Sequence, residues 1–347
     1  MKNTFSAKSL MLFAQRVLQN AGATQEDSVI VADTLVCANL RGIHSHGVGK
    51  LDNYIARVEA GVLDPQAHPE IERENAVTAV INAHNGYGQV AAYRAMELAI
   101  QKAEHSGIGM VLANNSNHFG IASYYALMAS EKKMIGTVAT TASPGIAPFG
   151  AKEKLFGTNP ISVAVPSKSK FPIVLDMSSS VVARGKVRQA ITAGAEIPLG
   201  WARDKDGNPT TDPIAALKGT LEPISGPKGS GLALMVEILC GVLSGSSMPG
   251  EVRVITDVSG PCKTGHLFYA INPECFRDSE EFLSAIDDTI SRIKNLSPIN
   301  DAIYVPGELE YLHEQKCSEE GISLKEAALS SLNVLSQKYN VPLIGDD

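Results

Sequence analysis

The chain has 347 residues, of which 44% are hydrophobic, and a formal net charge of −7. That apolar content excludes global disorder, and the acidic balance argues against a nucleic-acid-binding protein, whose footprint would be basic. No apolar run approaches the roughly 20 residues that span a membrane, and five scattered cysteines without a CxxC pair read as reduced thiols in a cytoplasmic protein.

The length exceeds what one core usually holds, so two lobes are expected. Residues 6–40 read as two helices. The apolar run Leu10–Ala14 is broken by Gln15 and Arg16, which fits an amphipathic helix rather than a signal peptide. Ser6 or Ser9 can cap the first helix, Gly22 stops it, and Thr24-Gln25-Glu26-Asp27 is a capping-box pattern for a second over 28–39. Residues 50–61 read as a third. The pattern then alternates: strands over 77–82, 109–113 and 135–141, with helices over 89–105 and 121–132 between them. Short apolar strands follow at 163–166 and 173–176. Residues 196–226 carry no period and read as a long loop. An apolar helix over 232–243, a strand over 266–272 and amphipathic helices over 279–295 and 323–339 complete the chain.

Five stretches carry chemistry, each with a plain alternative. RGIHSHGVGK (Arg41–Lys50) spaces His44 and His46 two apart, which on a strand would share a metal. The stretch follows a helix, however, and the other histidines form no HxxxH or HxxE set, so a loop reading stands beside it. Gly86-x-Gly88-x-x-Ala91 follows a strand and opens a helix, as in a Rossmann turn, but the next strand ends in asparagines instead of the required acid. A tight glycine turn is the favoured reading. His118, in NNSNHFG, lies just past a strand end, where α/β sites gather. Asp176 ends a strand before three serines that can cap a helix or bind an anion. Lys228 lies among Gly226, Gly229 and Gly231 at a helix start, a setting for a phosphate or carboxylate and equally for a surface loop.

Taken in order, RGIHSHGV, NHFG, FGTNPI, LDMSSS, ARGKV, GPKGSGL, GHLFYAINP and YVPGE resemble the malate/L-lactate dehydrogenase family of NAD(P)-dependent oxidoreductases, across about residues 5–310. This non-Rossmann group includes ureidoglycolate, sulfolactate and diketogulonate enzymes. The resemblance implies an α/β (α+β) fold with a mostly antiparallel cofactor-binding sheet flanked by helices. It also implies a helical domain from the terminal segments, here 1–66 with 279–340, around a sheet-bearing domain over 67–278. A homodimer with NAD or NADP and a small 2-hydroxy or 2-oxo acid is implied too, and no metal. Carried over residue by residue, His118 and His46 are the candidate acid–base residues, one or the other serving in different members, and Lys50, Tyr54 and Arg41 are the candidates that face the substrate. Ser143, Asp176, Met177, Ser178, Lys228, Pro306, Gly307 and Glu308 match cofactor contacts. Family members have arginine where Lys50 stands, and lysine offers a point charge in place of a planar two-bonded grip. A metal-dependent hydrolase built on His44 and His46, or a cyclic imino acid reductase, is the competing expectation.

Overall fold

The computed structural model describes residues 4–343. The chain opens with a short strand β1 (Thr4–Phe5) and helices α1 (Ala7–Asn20), α2 (Gln25–Leu40) and α3 (Leu51–Glu59). The expected caps form: Ser6 Oγ accepts from the Ser9 N–H and Thr24 Oγ1 from the Asp27 N–H, each at 3.1 Å. Strands β2 (Glu70–Glu74) and β3 (Thr78–Asn82) follow, then α4 (Gly88–Ser106), β4 (Ile108–Ser116), α5 (Ala122–Glu131), β5 (Ile135–Thr140), β6 (Ile161–Val165) and β7 (Ile173–Met177). Next come α6 (Arg184–Ala193), β8 (Ala202–Arg203), α7 (Pro213–Lys218), β9 (Thr220–Leu221), α8 (Pro227–Val236) and β10 (Thr264–Ile271). The chain closes with α9 (Ser279–Lys294), α10 (Glu308–Glu320), β11 (Ile322–Ser323) and α11 (Glu326–Tyr339).

Seven strands form the central sheet in the order β2-β3-β4-β10-β5-β6-β7. Only β3 and β4 run parallel; every other neighbouring pair is antiparallel. The single β3–α4–β4 crossover explains why one Rossmann-like turn occurs in a fold that is not a Rossmann fold. Helices α4 and α5 cover one face through Ala92, Ala95, Met96, Ala99 and Ala126, packed on Val111 and Phe268. The other face receives Val236 and Cys240 against Leu112, Ala139 and Leu267. There the continuation of α8 widens into a π turn over Glu237–Val242, with Leu243 N–H bonded to Ile238 O. A Cβ on Gly265 of β10 would lie 1.7 Å from Cys240 O, so glycine is what lets this helix reach the sheet.

A second core joins the helices of the two ends. Leu10, Val17, Leu35, Tyr54 and Leu63 pack with Ile322, Leu332 and Leu335, and β1 pairs with β11. Helix α9, which the domain division drawn from the sequence puts with these helices, has polar contacts on both sides: Lys294 pairs with Glu308 of α10, while Lys133 pairs with Glu280 and Asp287 caps Lys168 and Ser169.

The expected long loop over 196–226 holds structure. It contains β8, α7 and β9 around Val182, Val187, Ile197, Ala202, Ala216 and Leu221. These pieces are too short to show a period, and α7 exists because Asp212 Oδ1 accepts from the Ile214 N–H with Pro213 in the first turn. Strand β2 and helices α6 and α10 also escape the sequence pattern. None of the five residues of β2 is buried, only Val187 is in α6, and only Glu308 and Cys317 are in α10.

Arg57 of α3 is the largest fully buried side chain. Its guanidinium donates to the Asp257 carbonyl (2.5 Å), the Gly260 carbonyl (2.9 Å), the Val62 carbonyl (3.3 Å) and Asn117 Oδ1 (3.3 Å). It therefore ties the helical lobe to two loops of the sheet lobe. Arg57→Leu keeps the stem and strands four acceptors, so denaturant titration should show a loss of about 3 kcal/mol or more; a loss below about 1 kcal/mol would contradict this role.

Candidate active site

The turn after α2 is held by one buried side chain. Asn39 Nδ2 bonds His44 Nδ1 at 3.0 Å, and Asn39 Oδ1 accepts from the Val48 N–H at 2.8 Å. His44 thereby becomes part of the scaffold, its ring edge-on to His313 at 5.9 Å. The same turn sends His46 the other way, where it stacks on His118 with ring centroids 5.5 Å apart and planes 14° apart. Ser45 Oγ bonds His46 Nδ1 at 2.9 Å.

His118 is positioned by the turn that follows β4. Asn117 Nδ2 donates to the carbonyls of Gly86 (2.8 Å) and Asn85 (3.1 Å). A Cβ on Gly88 would lie 2.2 Å from Asn117 O, so the glycine of the apparent dinucleotide fingerprint makes room for the turn that carries His118. His118 Nδ1 meets Tyr54 Oη at 2.7 Å and the Gly120 N–H at 3.3 Å. The amide donor marks Nδ1 as an acceptor in the resting molecule, so Tyr54 donates to it and Nε2 carries the hydrogen. The buried Gln89 amide also acts on the Tyr54 hydroxyl, yet neither of its polar atoms completes a hydrogen bond. Nothing in the sequence pattern singled out Gln89, because it sits in the first turn of an ordinary helix.

Both imidazoles resist protonation. Burial, then the Lys50 charge, lowers the His46 pKa to about 4. Burial, then the neighbouring His46 and Lys50, holds His118 well below its ordinary value. Lys50 is itself lowered, by burial first and Arg188 second. The site is thus a pair of neutral imidazoles beside a cation. His266, the remaining histidine nearby, is a satisfied core residue: it lies between Thr140 Oγ1 (2.7 Å) and Ser116 Oγ (2.8 Å) and stacks on Phe119.

Of the substrate-facing residues expected from the sequence, Lys50 and Tyr54 join the histidines. Arg41 does not: its buried guanidinium is paired with Glu314 of α10 at 2.8 Å. The apolar and polar spacing of the motif gives no hint of that pairing, because Glu314 is 273 residues away.

The expected cofactor residues fall on adjoining segments. Pro306 O accepts from the Val174 N–H at 2.9 Å, which sets Pro306–Glu308 beside the strand ending in Asp176 and Met177. The Ser179 carbonyl accepts from Ile224, and Val181 N–H donates to Glu222, so Ser178 and its neighbours lie along the segment leading to Lys228. Lys228 is exposed in the first turn of α8. The Glu308 carboxylate is already engaged, accepting from the Val305 N–H and from Lys294, which leaves backbone groups to face a ligand there. Ser143 Oγ accepts from Arg184 at 3.3 Å on the wall of a cleft of about 640 Å³ that Lys154, Arg253 and Lys263 also line. A cation at a helix start, serine hydroxyls and a carboxylate are the donor set that a dinucleotide's phosphates and ribose hydroxyls require. Among the described residues, no group of three or more His, Cys, Asp or Glu side chains is arranged to hold a metal ion.

Comparison with known proteins agrees with this architecture. The family model for malate/L-lactate dehydrogenase matches residues 5–333. The chain is 44% identical over 301 residues to L-sulfolactate dehydrogenase of Methanocaldococcus jannaschii, covering 86% of this chain and 87% of the relative. It is 34% identical to ureidoglycolate dehydrogenase (NAD(+)) of Escherichia coli, covering 92% of each. The crystal structure of malate dehydrogenase from Entamoeba histolytica superposes with a TM-score of 0.94 at 35% identity, over 98% of both chains. The chain belongs to the malate/L-lactate dehydrogenase family.

Proposed function

We propose that this protein is a nicotinamide-dependent dehydrogenase that interconverts a small 2-hydroxy acid and its 2-oxo acid. The observation that carries the reading is the stacked His46–His118 pair, with Tyr54 on one ring nitrogen and Lys50 alongside. The three named dehydrogenases, one of them marked NAD(+), support the reaction class and the cofactor. The metal-hydrolase alternative finds no support, since His44 is bonded into the Asn39 scaffold and its ring turns toward His313.

The bound nicotinamide supplies the hydride chemistry. Asp176, Met177, Ser178, Lys228 and the backbone of 306–308 hold the dinucleotide, with Ser143 at the edge of the cleft. Lys50 takes the substrate carboxylate as a point charge. His118 Nε2–H bonds the carbonyl oxygen, and His46 orients the same end of the substrate. Completing the proton transfer in reduction needs a second proton on the His118 ring. Nδ1–H then donates to Tyr54 Oη, and the tyrosine's own hydrogen turns to the Gln89 amide. After Nε2–H is given to the oxygen, the ring is left with its lone pair facing the product, which is the base that oxidation needs.

A homodimer in a reducing, cytoplasmic setting completes the reading. The helix through α8 and its π turn leaves Leu234, Met235, Ile238, Leu239, Val242 and Leu243 exposed on one face, an area suited to self-pairing across a two-fold axis. All five cysteines are unpaired.

His118→Ala should lose about 10²–10⁴-fold in single-turnover hydride transfer while still binding NADH. His46→Ala should lose more in substrate affinity than in the transfer step. Normal transfer in folded His118→Ala beside an inactive His46→Ala would reverse the two roles. Leu239→Glu should convert a dimer to a monomer in light scattering; a wild-type protein that is already monomeric at micromolar concentration would remove the dimer from the account.

A further inference from the structure

We propose that Glu237, acting through Asn159, is the positioning residue that sets the spacing of Ser143, Ser178 and Lys228, and with it the affinity for the dinucleotide. The inference rests on the dehydrogenase reading and adds to it two buried residues behind the cofactor wall.

Ser143, Ser178 and Lys228 lie on three separate segments of the chain, and the turn over Gly157–Asn159 is bonded to all three. Asn159 Oδ1 accepts from the Ala142 N–H at 2.9 Å, one residue before Ser143. The Thr158 carbonyl accepts from the Ser179 N–H at 2.8 Å and from Ser179 Oγ at 2.9 Å, one residue after Ser178. Asn159 Nδ2 donates to the Ala233 carbonyl at 3.0 Å, in the helix α8 that carries Lys228 in its first turn. The same Nδ2 donates to Glu237 Oε1 at 2.9 Å, and the Gly157 N–H donates to that oxygen at 3.0 Å. Glu237 therefore holds the turn from both ends. The fit is close: a Cβ on Gly157 would lie 2.2 Å from Ala142 O, and Asn159 takes φ +35°, in the left-handed region that asparagine tolerates better than most residues.

Glu237 is 1% exposed and stands where α8 widens into its π turn. Its second oxygen, Oε2, is buried without a hydrogen-bond partner, and among the described residues no cation pairs with it. Burial pushes its pKa up, and the bonds from Asn159 and Gly157 offset only part of that. A carboxyl so placed is neutral in the resting molecule, with two donors on one oxygen and the proton on the other. An apolar side chain of the same length would fill the space without burying a polar group; it could not accept from both ends of the turn.

The test measures the dissociation constant of NADH or NADPH, whichever the wild type binds more tightly, by cofactor fluorescence. It is paired with kcat for oxaloacetate at saturating cofactor in the full-length wild type, Glu237→Gln, Glu237→Met and Glu237→Asp. Glu237→Gln keeps a neutral acceptor in the same place and should keep wild-type affinity. Glu237→Met fills the space but strands both donors, and should weaken cofactor binding by about tenfold or more while kcat at saturation stays close to wild type. Glu237→Asp retains the acid and withdraws it by one methylene, so it should also weaken binding, and it carries the test if Glu237→Met does not fold. A residue that only packs would lower the thermal midpoint and leave cofactor affinity alone. Unchanged affinity in folded Glu237→Met or Glu237→Asp, a loss confined to kcat, or binding by Glu237→Gln as weak as by Glu237→Met would overturn the proposal. A wild type that binds neither NADH nor NADPH is a separate result: it would overturn the dehydrogenase reading and this inference with it.

Discussion

The hydrogen bond between Tyr54 and His118 is the junction on which the site depends. Tyr54 belongs to the helical lobe and His118 to the end of a sheet strand, so the bond exists only when the two cores are docked. Arg57 stands three residues further along α3, on the same face as Tyr54, and grips the side chain of Asn117. One helix therefore positions two successive residues, Asn117 and His118, of the turn after β4. Asn39 does the corresponding work for His46 by locking the two short turns between α2 and α3. The stacked His46–His118 pair is assembled from rigid elements on both sides, with little left to loop motion.

The electrostatics follow from the same packing. Bringing two imidazoles into stacked contact beside Lys50 makes every cationic state costly, so the resting pair is neutral. An anion bound against Lys50 removes much of that cost. In the proposed reaction, a substrate anion against Lys50 would thus raise the proton affinity of His118, readying the acid only when there is something to reduce. Gln89 fits this logic. An amide carries both a donor and an acceptor, so it can serve the Tyr54 hydroxyl whichever way its hydrogen points.

Much of the architecture was legible in the sequence where periodicity or capping chemistry was strong. The caps at Ser6 and Thr24, the alternation from 77 to 141 and the terminal helices all have local causes. The rejection of the Gly86-x-Gly88 fingerprint was also a local inference, from asparagines where an acid was needed, and Gly88 proves to make room for Asn117. What escaped was non-local. The pairing of Arg41 with Glu314 joins opposite ends of the chain. The small core around Val187 and Leu221 is built from pieces of two to ten residues. Gln89 takes its meaning from Tyr54, a neighbour that only the fold supplies.

If Tyr54 stabilises the protonated His118 ring during reduction, single-turnover NADH oxidation by oxaloacetate across pH in wild type and Tyr54→Phe reads that role most directly. The donor is the imidazolium, so the rate falls as pH rises through its pKa. Losing the hydroxyl removes the acceptor for Nδ1–H, lowers that pKa and shifts the fall to lower pH. The Tyr54→Phe rate near neutrality should fall about 10–100-fold below wild type, the worth of one hydrogen bond to a charged group, with the midpoint displaced toward acid. Equal rates and an unmoved midpoint in a folded Tyr54→Phe would contradict it.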